Sequence, residues 1–452
     1  MYRVRGIGLE ISIKVRSLSG LIFLLSLTFL VFKSNLSNAQ ELVQVVIHSN
    51  EALYVHPVEN IGIFSDLKNS GTIGAVPKSV INFYGQRWSN KQGANLVDES
   101  SNGMSGQGGS FRFQSLTNSP QFIENENLQA NNAFSGLTIA NKGNVTLEGN
   151  DLFIRRNLDF EYGSLILNNR NAVLAPNATI TGFDNHKFVV TGSGTTGGFL
   201  VRHSSGQQLP DLVFPIGVST TSYTPASINY KGAAQNLKVR VFENVYEKAL
   251  YGSQDNINNV PRTWNVSFDT NDLSAVLSIN TQHSASEEGT QFAINRQLSF
   301  ISRFSPTIGV WDKIPASGFS TGDLTSGSAV PNTYINTRKA INGVTLNEFF
   351  AKSVIKTSGL LGLRIPQGIS PNNDGLNEKF VVENLNFGDK VRLDIYDRWQ
   401  SLVYKEGNYK NTFDGTGNQG SWINRDLPDG TYYYILNVNN EKPITGFLII
   451  NR

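Results

Sequence analysis

Between Gly136 and Ile180, apolar-x-apolar triplets begin at Leu137, Val145, Leu152, Leu158, Leu165, Val173 and Ala178. Every third triplet repeats at a spacing of 20 or 21 residues: 137 to 158, 145 to 165, 152 to 173, 158 to 178. Side chains alternate along a strand, so each triplet puts its two apolar residues on one face. Three short strands per period is the signature of a parallel β-helix, in which a turn buries its inward residues only by stacking on its neighbours. Asn141, Asn144, Gly149, Asn150, Asn157, Gly163 and Asn168 fill the intervals. There, left-handed backbone and stacked amides serve the corners. The competing topology is a meander of evenly spaced hairpins.

The middle residue of each triplet faces outward, and three columns follow. They read Thr138, Asp159, Thr179; Thr146, Ile166; and Phe153, Leu174. Cleaving a polysaccharide requires two carboxylates gathered at one place. Only Asp159 is acidic, and it reads as a solvated face residue. Asp151 and Glu161 fall at corners, where acids support turns.

The N-terminus reads as a secretory leader over residues 1–39. Arg3, Arg5, Lys14 and Arg16 precede the apolar run Leu21–Phe32, which is too short to span a bilayer of about 30 Å. Ser37-Asn38-Ala39 offers small residues for cleavage, with Gln40 as the new N-terminus. Removing five basic residues and one acid leaves 33 basic and 35 acidic groups, so the mature chain has no electrostatic footprint for nucleic acid. There is no cysteine, hence no disulfide and no lipidated thiol.

From Glu41 to Gln129 the pattern is poorly resolved. Val43, Val45 and Ile47 alternate as a strand, Ser79–Tyr84 suits another, and Ser100–Ser110 is a Gly/Ser-rich loop. From Leu200 to Ser358 longer strands appear, and Trp264, Val266 and Phe268 share one face. This stretch reads as a β-sandwich with Trp264 in its core. Phe214-Pro-Ile-Gly217 and Tyr223-Thr-Pro225 loosely resemble an element of secreted Bacteroidota surface proteins.

Two Gly-x-Gly-x-x-Gly matches, Gly192–Gly197 and Gly415–Gly420, lie among strands and supply no helix N-terminus for a pyrophosphate. His48, His56, His186, His203 and His283 show no zinc spacing, and no Gly-x-Ser-x-Gly elbow occurs. No cofactor, metal or catalytic residue is expected.

The tail, 359–452, reads as a small antiparallel β domain. Val391, Leu393 and Ile395 alternate with polar residues, and Thr431–Val438 and Gly446–Ile450 read as further strands. Pro371–Gly375, Asp414-Gly415 and Pro428-Asp429-Gly430 are turns. In Asn372-Asn373-Asp374-Gly375, one carboxylate is too few for calcium, and an Asx-type turn is the better reading.

These segments also resemble a known family, the gliding-motility-associated type B C-terminal sorting domain of Bacteroidota type IX secretion. The matching residues are Ser370–Asn377, Ile395–Trp399, Asp414-Gly415, Leu427–Tyr434 and Gly446 through Arg452. Glu378 stands where Asp is usual, Phe413 where Trp is usual, and Gln400 where a turn glycine is usual. The resemblance implies export to the cell surface or medium, with the export machinery and an outer-membrane protein as partners. Candidate recognition residues are Pro371, Asn372, Asp374, Gly375, Asn377, Asp397, Arg398, Trp399, Asp414, Gly415, Gly430 and Tyr432.

The expected architecture is all-β: leader 1–39, β-helix-like region 40–199, β-sandwich 200–358 and immunoglobulin-like sorting sandwich 359–452. For the cargo the leading reading is a non-enzymatic adhesin or matrix component that meets surface polysaccharide or extracellular matrix. The alternatives are a glycan-binding module using Tyr84, Trp88 or Trp311, and a polysaccharide-cleaving enzyme.

Overall fold

The computed structural model describes residues 2–6, 9–13 and 44–452, less 127–131, 208–210, 314–318, 328, 355–362, 384, 386–388 and 440–442. The leader's apolar run, the cleavage position Ala39–Gln40 and the junction at 358/359 lie outside the described residues. By contact the chain forms two compact units. One comprises 1–244, 262–287 and 316–352; the other comprises 245–261, 288–315 and 353–452.

The first unit contains a parallel β-solenoid of about six turns. One of its sheets stacks Gln44–Ile47, Asp66–Asn69, Arg87–Asn90, Gln121–Asn125, Val145–Gly149, Leu165–Ile166 and Val189–Val190. A second stacks Ala52–Val55, Thr72–Ala75 and Asn95–Val97. A third stacks Asn60–Ile63, Val80–Phe83, Ser110–Phe113, Phe134–Ala140 and Leu152–Tyr162. The stretch 44–126, which has no legible topology in sequence, is thus the first turns of the same solenoid. An insertion hides the period there. Leu67 pairs with Trp88, but Trp88 pairs with Ile123, because the loop from Asp98 to Gly109 lengthens that turn.

Two of the four expected registers hold: Leu137 with Leu158 and Val145 with Leu165. The other two shift. Leu152 pairs with Ala172 rather than Val173, and Leu158 with Ile180 rather than Ala178. Ala172, Val173 and Leu174 are all apolar, so hydrophobicity alone does not fix which pair points inward. Ala172 and Leu174 are buried, so Val173, not Leu174, sits beside Phe153 in the outward column. Likewise Asp159 neighbours Thr138 and Thr181, while Thr179 pairs with Asn157. Asn157 lies inside a strand, not at a corner.

Corner chemistry follows expectation at Asn144, Gly149, Gly163 and Asn168, all with positive φ. At Gly163 a Cβ would stand 2.0 Å from the Asn141 carbonyl oxygen, so a side chain has no room. Another corner carries a column of register-stacked amides, Asn69, Asn90 and Asn125, at 0%, 0% and 3% exposure. Asn69 Nδ2 donates to Asn90 Oδ1 at 3.4 Å, and Asn90 Oδ1 also accepts from Trp88 Nε1 at 3.0 Å. Buried amides are tolerated where such partners exist.

Trp88 is fully buried, which removes it as a glycan-stacking candidate. Its ring meets Phe83 and Phe111 edge-on, with Phe113 and Phe134 tilted beside it. Centroid separations of 5.4 to 6.0 Å are the favourable range for aromatic pairs.

The parallel ladder continues past residue 199. Leu200–Ser204 lies parallel to Ala172–Leu174 on one side and antiparallel to Gln235–Glu243 on the other, and Gln235–Glu243 then pairs with 262–268. The solenoid sheet thereby becomes one layer of an antiparallel sandwich. The other layer is Leu212–Phe214, Ala226–Lys231, Asp272–Ser284, Thr333–Val344 and Phe319–Thr321. Phe268 and Tyr230 meet between the layers at 5.6 Å, and Trp264 is fully buried, its Nε1 donating to the Thr224 carbonyl. The Gly192–Gly197 loop turns carbonyls, not amides, inward. Gly194, Thr195 and Thr196 accept from the Arg240 guanidinium, whose pKa burial lowers to about 10.

In the second unit, the tail forms a five-stranded sheet ordered Gly368–Ile369, Ile444–Ile450, Gly430–Val438, Val391–Tyr396, Leu402–Glu406. A smaller pair, Thr416–Gly417 with Arg425–Asp426, accompanies it. Leu393, Ile395, Tyr432, Tyr434, Leu448 and Ile450 fill one core with Phe380, Tyr409, Phe413 and Leu427. Phe413 takes the place of the usual tryptophan and packs on Tyr404 at 4.6 Å.

Candidate sorting-signal site

The tail's motif segments are distant in sequence, and several of them converge at one pole of its sandwich. Arg452 is the clasp. Its guanidinium donates to the carbonyls of Leu427 and Gly415 and lies 3.6 Å from Asp429 Oδ1. Gly415 has φ +86, and a Cβ there would stand 2.9 Å from Arg452 Nη2 and 3.2 Å from Pro371 Cγ. The left-handed backbone favours glycine where Pro371, Asp414-Gly415 and Arg452 meet. Arg398 approaches Gly430 from the neighbouring hairpin, and Tyr432 donates to the Pro428 carbonyl at 2.9 Å. Burial, offset in part by Arg452, pushes the Tyr432 hydroxyl pKa up.

The polar groups of these motifs are spent mainly on their own backbone. Asp374 Oδ1 accepts from Leu376 N, Asn372 Oδ1 from Asp374 N, and Glu378 Oε1 from Gly375 N. The Asp374 and Asn372 bonds are the Asx-type turns expected from the sequence. Asn373, Gly375 and Asn377 take positive φ, and Asn377 O accepts from Ser370 N. Asp414 Oδ1 accepts from Thr416 N, and Asp397 Oδ1 accepts from both Trp399 N and Ser401 N at 2.8 Å.

Gln400 stands where a turn glycine is usual. The loss of glycine there does not remove the turn: Gln400 adopts φ +61 and donates its N–H to the Asp397 carbonyl. The tight hairpin is kept at a steric cost of about 1–2 kcal/mol for a left-handed L-residue. Trp399, at its tip, is 80% exposed and is the one motif residue with a large free apolar surface among Ile395–Trp399. Arg452 is absent from the sequence-derived candidate residues. The Gly446-through-Arg452 ending is its only signal in the sequence.

The fold and this pole together define a class: an all-β carrier followed in sequence by a β-sandwich whose terminal motifs are built to hold one shape. Residues 363–450 match the model of the CHU_C type IX secretion signal domain. The tail is a type IX sorting domain, and it directs the chain across the outer membrane to the cell surface or extracellular space. It thereby implies interaction with the type IX secretion machinery. No curated protein and no solved structure matches the chain.

Proposed function

We propose that residues 40–358 act as a non-catalytic, adhesin-like surface component of a Bacteroidota-type cell, linked to attachment or gliding. In this reading an outer-membrane protein assists the sorting domain, and surface polysaccharide or matrix is the ligand. The observation that carries it is how the solenoid spends its outward acids. Glu148 pairs with Arg87, Glu124 with Lys91, Glu161 with Arg112, and Asp159 accepts from Thr181. Each of these bonds joins different turns. Such ladders make a flat, repeating face and leave these carboxylates committed to structure. Ser89 and Lys91 hold the Glu124 pKa below its ordinary value against the opposing effect of burial.

A glycan-binding reading keeps one specific support. The rings of Phe64 and Tyr84 stack at 4.5 Å and 4°, and Phe64 is 70% exposed. Trp311 is half-buried, and its Nε1 is taken by the Tyr246 carbonyl. The test is to present the full mature chain to arrays of glycans and surface polymers while assaying released sugar. Binding without release is expected; release of sugar would overturn the non-catalytic reading.

A further inference from the structure

Antiparallel sheets with one buried face ordinarily show polar residues on the other. The sorting domain's five-stranded sheet sets a row of large apolar side chains among the polar residues of that face. Its outer face carries a cross-strand row in which Tyr396 pairs with Tyr433 and Tyr433 with Phe447. Ile449 follows opposite Thr431, and Ile435 lies between Asp394 and Thr445. Tyr433, Phe447 and Ile449 are 53%, 42% and 45% exposed, although the inward residues of the same strands already fill the core. The strands that carry this row therefore contribute apolar side chains to both faces.

We propose that this outer face, centred on Tyr433 and Phe447, is where the type IX export machinery docks. The inference rests on the sorting assignment and deepens it. Three observations select this occupant. The face lies wholly within the residues that match the secretion signal domain. The polar groups of the motif segments are already engaged, since Asp374, Asp397 and Asp414 bind their own turns and Arg452 clasps carbonyls, which leaves Trp399 as a large apolar contact among them. The face also adjoins that pole, because Ile449 pairs with Thr431, next to Gly430. The motifs thus fix the sheet's shape, and the sheet supplies the contact. The partner's matching surface is aliphatic or aromatic at its centre. The ion pair beside the row, Arg392 with Asp394 at 2.6 Å, is already closed, and a charge buried against this row would go uncompensated.

The test is made with the full chain in a cell that carries the type IX machinery. Tyr433→Thr, Phe447→Thr and Ile449→Thr are combined, since threonine keeps strand propensity. Tyrosine-rich hot spots dominate interfaces, so surface export is expected to fall at least about tenfold, with the protein held in the periplasm. The purified variant should keep its unfolding midpoint. Export at the unsubstituted level overturns the proposal. If the variant unfolds, a photo-crosslinking residue at position 433 replaces it. Crosslinks to an identified export component support the proposal; crosslinks to another copy of the chain, or to export components only from position 399, overturn it. A chain ending at Ser358 serves as control: its normal export would sink the sorting assignment itself, a separate result.

Discussion

The solenoid and the sorting sandwich are both made of short strands, yet they hold their shape by different means. Solenoid strands pair with residues about one turn away, and each layer resembles the next: aromatic on aromatic around Trp88, amide on amide along Asn69, Asn90 and Asn125. Such a structure tolerates insertions between layers, as the loop from Asp98 to Gly109 demonstrates. The sandwich has no repeat to lean on. Its strand order brings Gly368–Ile369 against Ile444–Ile450, and its closure depends on single residues such as Gly415 and Arg452. Repetition suits a surface that extends. Unique closure suits a signal that must present one shape.

Substitutions that hit one region and spare the other test this contrast. The largest effect is expected from Trp88→Ala, which empties a fully buried aromatic site and should cost about 3–5 kcal/mol. Urea unfolding followed by tail and solenoid probes should show the solenoid transition moving alone. Movement of both would mean that the regions are one cooperative block. Arg452→Ala should do the converse, weakening the sandwich by about 1.5–3 kcal/mol through loss of charged hydrogen bonds to two carbonyls. Hydrogen exchange at the Leu427 amide, which donates to the same Gly415 carbonyl, is the readout, and unchanged protection there would discard the clasp.

Gln400→Gly should act in the opposite direction. Relief of the positive φ, less the entropy glycine loses on folding, leaves a gain of about 0.5 kcal/mol in the sandwich midpoint. A loss would show that the Gln400 side chain holds the hairpin. The smallest effect is a slope. Bonds from Ala233 N and Ser274 pull the Asp272 carboxyl from 3.8 to about 2. Its contribution to solenoid-unit stability is therefore present above pH 3.8 and lost as pH falls toward 2. Asp272→Asn should flatten stability across that window while the sandwich keeps its own profile; an unchanged slope would mean that Asp272 carries none of it.

The same contrast explains how much of the fold is legible in the sequence. The sorting tail is readable because its turns demand particular residues: Asx side chains before Gly375, glycine at 415, a Pro-Asp-Gly before the Tyr432–Tyr434 strand. The solenoid is readable only where layers follow at even spacing. At Ala172–Leu174 three consecutive apolar residues blur the inward pair, and ahead of residue 126 the long loop breaks the period. Trp88 reads as available because an aromatic's burial depends on layers above and below it, which a single turn's sequence does not show. The Tyr396–Tyr433–Phe447 row is invisible in sequence for a related reason. It exists across three strands, and only register assembles it.

The most direct test of the division into carrier and address is the location of the chain with and without residues 359–452, in a type IX-competent cell, read by protease accessibility at the surface. The full chain should be cleaved on intact cells, while the chain ending at Ser358 should stay protected in the periplasm. Equal cleavage of both would contradict the division.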